Sequence, residues 1–173
     1  MADAEANRPE DEWVGGDWQR DAAPGGIALC GACRRTGQCR LGLLTESLGE
    51  DGTVITTLVC DESNEGGPGV AHGGWTAGAL DEIVGHLVLM HRRMAVTGEL
   101  TVRFIRPVPI CRPLRATARR VKQEGDRWFV TAELVLAATG AVLATAEAVM
   151  VERDRTHFAR FQQWLEKQDA TVE

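Results

Sequence analysis

GGWTAGALDEIVGHLVLMH, residues 73–91, is followed nine residues later by LTVRFIRPVP, residues 100–109, and the change of rhythm between them sets the fold class. In the first stretch Leu80, Ile83, Val84, Leu87 and His91 recur at helical spacing without a proline, which predicts one long helix from 73 to about 91. Its apolar residues run nearly all round, so the helix is expected to be buried. In the second stretch Leu100, Val102 and Phe104 alternate with Thr101, Arg103 and Ile105 until Pro107 and Pro109 bound a strand.

Working outward, residues 41–48 and 53–60 predict two short strands joined by the turn-forming Gly49-Glu50-Asp51-Gly52. Residues 64–69 read as loop. Downstream, 114–122, 127–136 and 141–151 predict strands, with turns at Glu124-Gly125-Asp126 and Thr139-Gly140. Residues 154 to about 167 predict an amphipathic helix with Phe158, Phe161 and Leu165 on one side and Asp154 as N-cap. Two strands, a buried helix and three or four antiparallel strands make an α+β hotdog pattern, a sheet wrapped round one helix.

A chain of 173 residues, 44% hydrophobic and 25% charged, fits one globular domain with a tail. Nineteen Lys and Arg against 25 Asp and Glu give a net charge of -6, without the basic excess that nucleic-acid binding requires. The best membrane-span candidate, residues 74–90, carries Asp81 and Glu82 in its middle, so no span is expected. The acidic first residues lack a secretion signal's cationic start and apolar run, which predicts a cytoplasmic protein. Residues 1–27 read as an acidic, mobile tail, 28–153 as the folded domain, and 154–173 as a C-terminal helix and tail.

Chemistry concentrates around His72-Gly73-Gly74. At a helix start, this tripeptide presents backbone N–H groups that no Cβ obstructs, at the positive end of the helix dipole. Such donors stabilise the charge that develops on a carbonyl oxygen in acyl transfer, although isolated glycines can equally relieve crowding in a tight loop. Asp81 is a carboxylate inside an apolar helix, where it needs a partner or a task. Nine residues of helix put it about 13.5 Å from His72 and on the opposite side. A site using both must therefore be built across a two-fold interface, so a homodimer is expected. Glu82 points about 100° away from Asp81 and is the rival carboxylate.

The whole segment 66–86 resembles the signature of PaaI-like hotdog acyl-CoA thioesterases: a Gly/Pro loop, His-Gly-Gly, then an aspartate nine residues on, here within Ala79-Leu80-Asp81-Glu82. The strand 100–109 and Cys30-Gly31-Ala32-Cys33 ahead of Gly42-Leu43 extend the resemblance over roughly 28–152. It implies a dimer, or a tetramer built from two dimers, acting on acyl-CoA with no metal and no cofactor, coenzyme A being part of the substrate. It further implies that Asp81 is general base or nucleophile and that the partner's Gly74 N–H, with Gly73 beside it, polarises the carbonyl. By the same resemblance His72 orients the substrate or the Gly73-Gly74 loop, and Thr97 positions water. Some relatives carry an asparagine six residues before the histidine; that place is Gly66 here, and Asn64 is out of register.

Trp75 is a candidate wall of the acyl pocket, and Arg103 and Arg106 are candidates for the coenzyme A phosphates, which guanidinium groups recognise bidentately. Cys30, Cys33 and Cys39 lack a clear fourth ligand and read as free thiols rather than a metal set. His86 and His91, five apart, are expected in the core or an interface. The same fold hosts enoyl-CoA hydratases and non-catalytic acyl-CoA sensors, which stand as alternatives to hydrolysis.

Overall fold

The computed structural model describes residues 22–23, 25–154 and 156–170. Strand β1 (Ala22–Ala23) pairs with β2 (Ile27–Ala28), and a single turn of helix, α1 (Gly31–Arg34), leads into β3 (Leu43–Leu48) and β4 (Val54–Val59). A 3₁₀ turn (Glu62–Asn64) and the small ladder β5 (Glu65–Gly67) with β6 (Val70–Ala71) deliver the chain to the long helix α2 (Gly73–Met90). Then follow β7 (Ala95–Phe104), β8 (Pro113–Glu124), β9 (Arg127–Leu136), β10 (Val142–Glu152) and α3 (His157–Asp169).

Six strands make one antiparallel sheet in the order β3-β4-β8-β9-β10-β7. Helix α2 packs on it and buries Leu80, Ile83, Val84 and Leu87 completely in a core shared with Leu58, Leu114, Leu134 and Met150. Each such side chain contributes about 1.5–3 kcal/mol, so the helix is held by its apolar face rather than by intrinsic propensity. Arg92, with φ of 59°, takes the left-handed conformation just past the helix end and turns the chain toward β7.

Three expectations change. The segment 64–69, read as loop, contains strand β5, which pairs with β6 just beyond it. Strand β7 starts at Ala95 because its pairing with β10 continues through a bulge: Glu99 lies opposite Val149 and Thr97 opposite Met150, leaving Gly98 as the extra residue. Helix α3 starts at His157, and Asp154 is not its N-cap; the Asp154 carboxylate instead accepts from the backbone N–H and the hydroxyl of Thr156. Of the acidic tail, residues 1–21 and 24 lie outside the described residues, whereas Ile27 at its expected end is 1% exposed and belongs to the core.

Candidate active site

Helix α2 begins at His72, which takes extended angles (φ -60°, ψ 138°) and accepts the backbone N–H of Gly74 on its ring Nδ1 at 2.9 Å. A neutral imidazole that accepts at Nδ1 carries its proton on Nε2, so His72 offers an exposed N–H donor. The residue is held from behind, since its own N–H donates to the backbone carbonyl of Asn64 at 2.8 Å. Gly66 crosses so close that a Cβ there would lie 2.8 Å from the His72 Cα, which explains a glycine at that position.

The two glycines are therefore not equivalent. The Gly74 N–H, expected as the open carbonyl donor, is occupied by the His72 ring. Among the described residues nothing accepts from the Gly73 N–H. Gly73 also lines an open cleft of about 250 Å³ with Thr76, Phe104, Ile105, Arg106 and Val108. The cleft thus has apolar walls and a backbone donor at its helix end.

Asp81 lies two and a half turns further along α2, half-buried, and Thr97 donates its hydroxyl to Asp81 Oδ1 at 2.7 Å. The bulge at Gly98 makes this contact. Leu100 and Val102 pack toward the core, and strict alternation would send Thr97 to the other face; the extra residue reverses the parity, so Ala95 and Thr97 turn back toward α2. Asp81 is absent from the Gly73 cleft, as the opposite faces of the helix require.

Other expected residues fall elsewhere. Trp75 is 5% exposed within the core, its indole N–H without a partner among the described residues. Asn64 contributes its backbone, while its side-chain amide reaches the Ser63 hydroxyl at 3.4 Å. Arg106 borders the cleft and donates to the Val142 carbonyl at 2.6 Å. Arg103 is exposed, 3.9 Å from Glu147, and does not border it.

His86 lies in the core, as expected, and meets the rival carboxylate Glu82, but its second partner, Glu46, was not singled out from the sequence. His86 Nδ1 meets Glu46 Oε2 at 2.7 Å, His86 Nε2 meets Glu82 Oε1 at 3.3 Å, and Thr56 donates to Glu46 Oε1 at 2.8 Å. Burial alone would push the imidazole pKa down, but the hydrogen bonds to Glu46 and Glu82 outweigh it and hold it up to about 10. The hydrogen bond from His86 in turn keeps the Glu82 carboxyl below its usual range, against burial. Glu82 is thereby committed to His86. The visible signal was the Glu82/His86 spacing of four, together with two polar residues, Glu46 and Thr56, on the strands that flank the helix.

Residues 68–142, from the loop before α2 to the start of β10, match the family model of the thioesterase superfamily. Over these residues the chain is similar to the thioesterase superfamily. The chain is similar in structure to a thioesterase superfamily protein at 25% identity, covering 87% of this chain and 70% of that one with a TM-score of 0.65. The PaaI protein of the E. coli phenylacetic acid degradation operon superposes with a TM-score of 0.61 at 20% identity, over 71% of this chain and 85% of its own. A hypothetical thioesterase from Streptococcus pneumoniae, solved with coenzyme A, gives 0.58 at 20% identity, over 62% and 84%. That protein was also solved with an aspartate replaced by alanine and, separately, with a threonine sixteen residues further on replaced by alanine. The hotdog architecture, an antiparallel sheet on one long helix with a C-terminal helix, agrees with these neighbours.

Proposed function

We propose that this protein hydrolyses an acyl-CoA thioester to a free acid and coenzyme A, at a site shared by two copies of the chain. The observation that carries this reading is the Asp81–Thr97 pair, set by a bulge on one side of α2, while an open backbone donor stands at the other side's helix start. The same sixteen-residue aspartate–threonine spacing altered in the Streptococcus pneumoniae protein supports it.

In this mechanism the thioester carbonyl oxygen sits against the N–H of the partner's Gly73, where the helix dipole and the donor stabilise the developing oxyanion. Thr97 uses its proton on Asp81, so its oxygen is left to accept from a water. Asp81 takes the water's other proton as hydroxide attacks the carbonyl carbon, the C–S bond breaks, and the coenzyme A thiolate leaves with a proton. Direct attack by Asp81 through a mixed anhydride gives the same products. The His72 ring, with Nδ1 engaged by Gly74, is a donor rather than a base, which favours hydrolysis over a hydratase reaction that needs a basic histidine.

Thiol release from a panel of short, long and aromatic acyl-CoAs tests the reading. Turnover that collapses in Asp81→Asn is expected; saturable binding without release from any member would replace hydrolysis by a sensing role.

A further inference from the structure

The segment ahead of the sheet places two thiols together. Cys30 is the N-cap of α1 and Cys33 its third residue, the two positions whose side chains face one another across a first helical turn. They interact directly, and the backbone holds them: the Arg34 N–H donates to the Cys30 carbonyl at 3.0 Å, and the Thr36 and Gly37 N–H groups to the Cys33 carbonyl at 3.1 and 2.9 Å. The Arg40 N–H donates to Cys33 Sγ at 3.2 Å.

The two sulfurs differ in access. Cys30 is half-buried, while Cys33 is 3% exposed. Burial pushes both thiols up, but at Cys30 the facing Cys33 and the backbone N–H groups of Cys33 and Ala32 outweigh it and bring the thiol below its ordinary value. At Cys33 burial prevails and the thiol stays raised. This is an accessible nucleophile beside a sheltered second thiol.

We propose that Cys30 and Cys33 form a reactive dithiol that a low-molecular-weight disulfide oxidises to an internal disulfide. The Cys30 thiolate attacks one sulfur of the small disulfide, its S–S bond breaks, and one thiol departs. Cys33 then loses its proton, attacks Cys30 Sγ and expels the second thiol, so two electrons pass from the protein to the small disulfide. Cys39 is the nearby third sulfur, but no group of three or more donors arranged to hold a metal forms among the described residues.

Oxidised glutathione added to the folded, full-length protein, followed by acid quench and tryptic mapping, tests this directly. Cys30 and Cys33 fall in one tryptic peptide, 21–34, and Cys39 in another, 36–40. Peptide 21–34 is expected to lose about 2 Da, the two thiol hydrogens, and to regain them with dithiothreitol. Cys33→Ser is expected to stop at one glutathione held on Cys30, and Cys39→Ser to behave as wild type. A peptide 21–34 that stays reduced, or a cross-link joining it to 36–40, would overturn the proposal. So would stoichiometric zinc binding that protects these thiols.

Discussion

Thr97 Oγ1 lies 2.7 Å from Asp81 Oδ1 because Gly98 is inserted between Thr97 and the regular part of β7. One residue without a side chain thus decides which face of the strand the hydroxyl occupies, and with it whether the carboxylate has a partner. Asp81→Asn is expected to lower kcat on the best acyl-CoA by about 10²–10⁴-fold, the usual contribution of a positioned acid or base. KM should change little. Thr97→Ala is expected to cost about 10-fold to 100-fold in kcat, the worth of one hydrogen bond to a charged group, with Thr97→Ser restoring most of it.

Gly98→Ala tests the bulge itself. A Cβ at that position would lie 2.8 Å from Val151 Cγ2 and 3.2 Å from the Val149 carbonyl, so the strand must shift where Thr97 leaves it. Activity is expected to fall, with a melting temperature lower by a few degrees, as read by steady-state kinetics beside thermal unfolding.

His72→Ala removes the acceptor that caps Gly74 and should destabilise the protein by about 0.5–2 kcal/mol, the range for losing an N-cap side chain. His72→Asn, which can cap, is expected to recover the stability measured by urea unfolding. If both variants unfold alike, the ring is not acting as a cap.

The Glu46–His86–Glu82 group makes stability depend on pH in a defined direction. His86 is raised to about 10 in the folded protein, so its contribution is full below the unfolded histidine value near ~6.5 and is lost as pH rises toward 10. Glu82 is lowered, so its contribution holds above the ordinary carboxylate range and is lost as the solution becomes more acidic. Thermal unfolding should therefore show a melting temperature that declines through the alkaline range. In His86→Gln that decline is expected to flatten, at a cost of about 3–5 kcal/mol for leaving two carboxylates without their cation. An unchanged alkaline slope would show that His86 does not titrate with folding.

Much of this was legible in the residues. The order of strands and helix follows from where a period of 3.6 gives way to a period of 2, and Asp81, His72 and Thr97 stand out in the sequence as site candidates. What was not legible depends on contacts between distant segments. The bulge at Gly98 requires knowing that β10 lies alongside β7, and the occupied state of the Gly74 N–H requires the rotamer of His72. Glu46 carries no signal of its own in the sequence, because its partner His86 is forty positions away. Asp154 reads as the helix N-cap but sits two residues ahead of the cap position, Thr156, since a carboxylate that bonds two residues ahead makes an Asx turn as readily as a cap.

The division of one site between two chains is tested most directly by complementation. Gly73→Pro deletes the proposed carbonyl donor at the first helical position, where proline's fixed φ is tolerated, and the extended angles of His72 suit a following proline. Paired with Asp81→Asn in a heterodimer purified through two different tags, it leaves one site with both Asp81 and the partner's Gly73, and one site with neither. Each parent homodimer is expected to be inactive, and the heterodimer to release coenzyme A at about half the wild-type rate per dimer. A heterodimer as inactive as its parents, measured beside an active wild type, would contradict a site built across the two-fold.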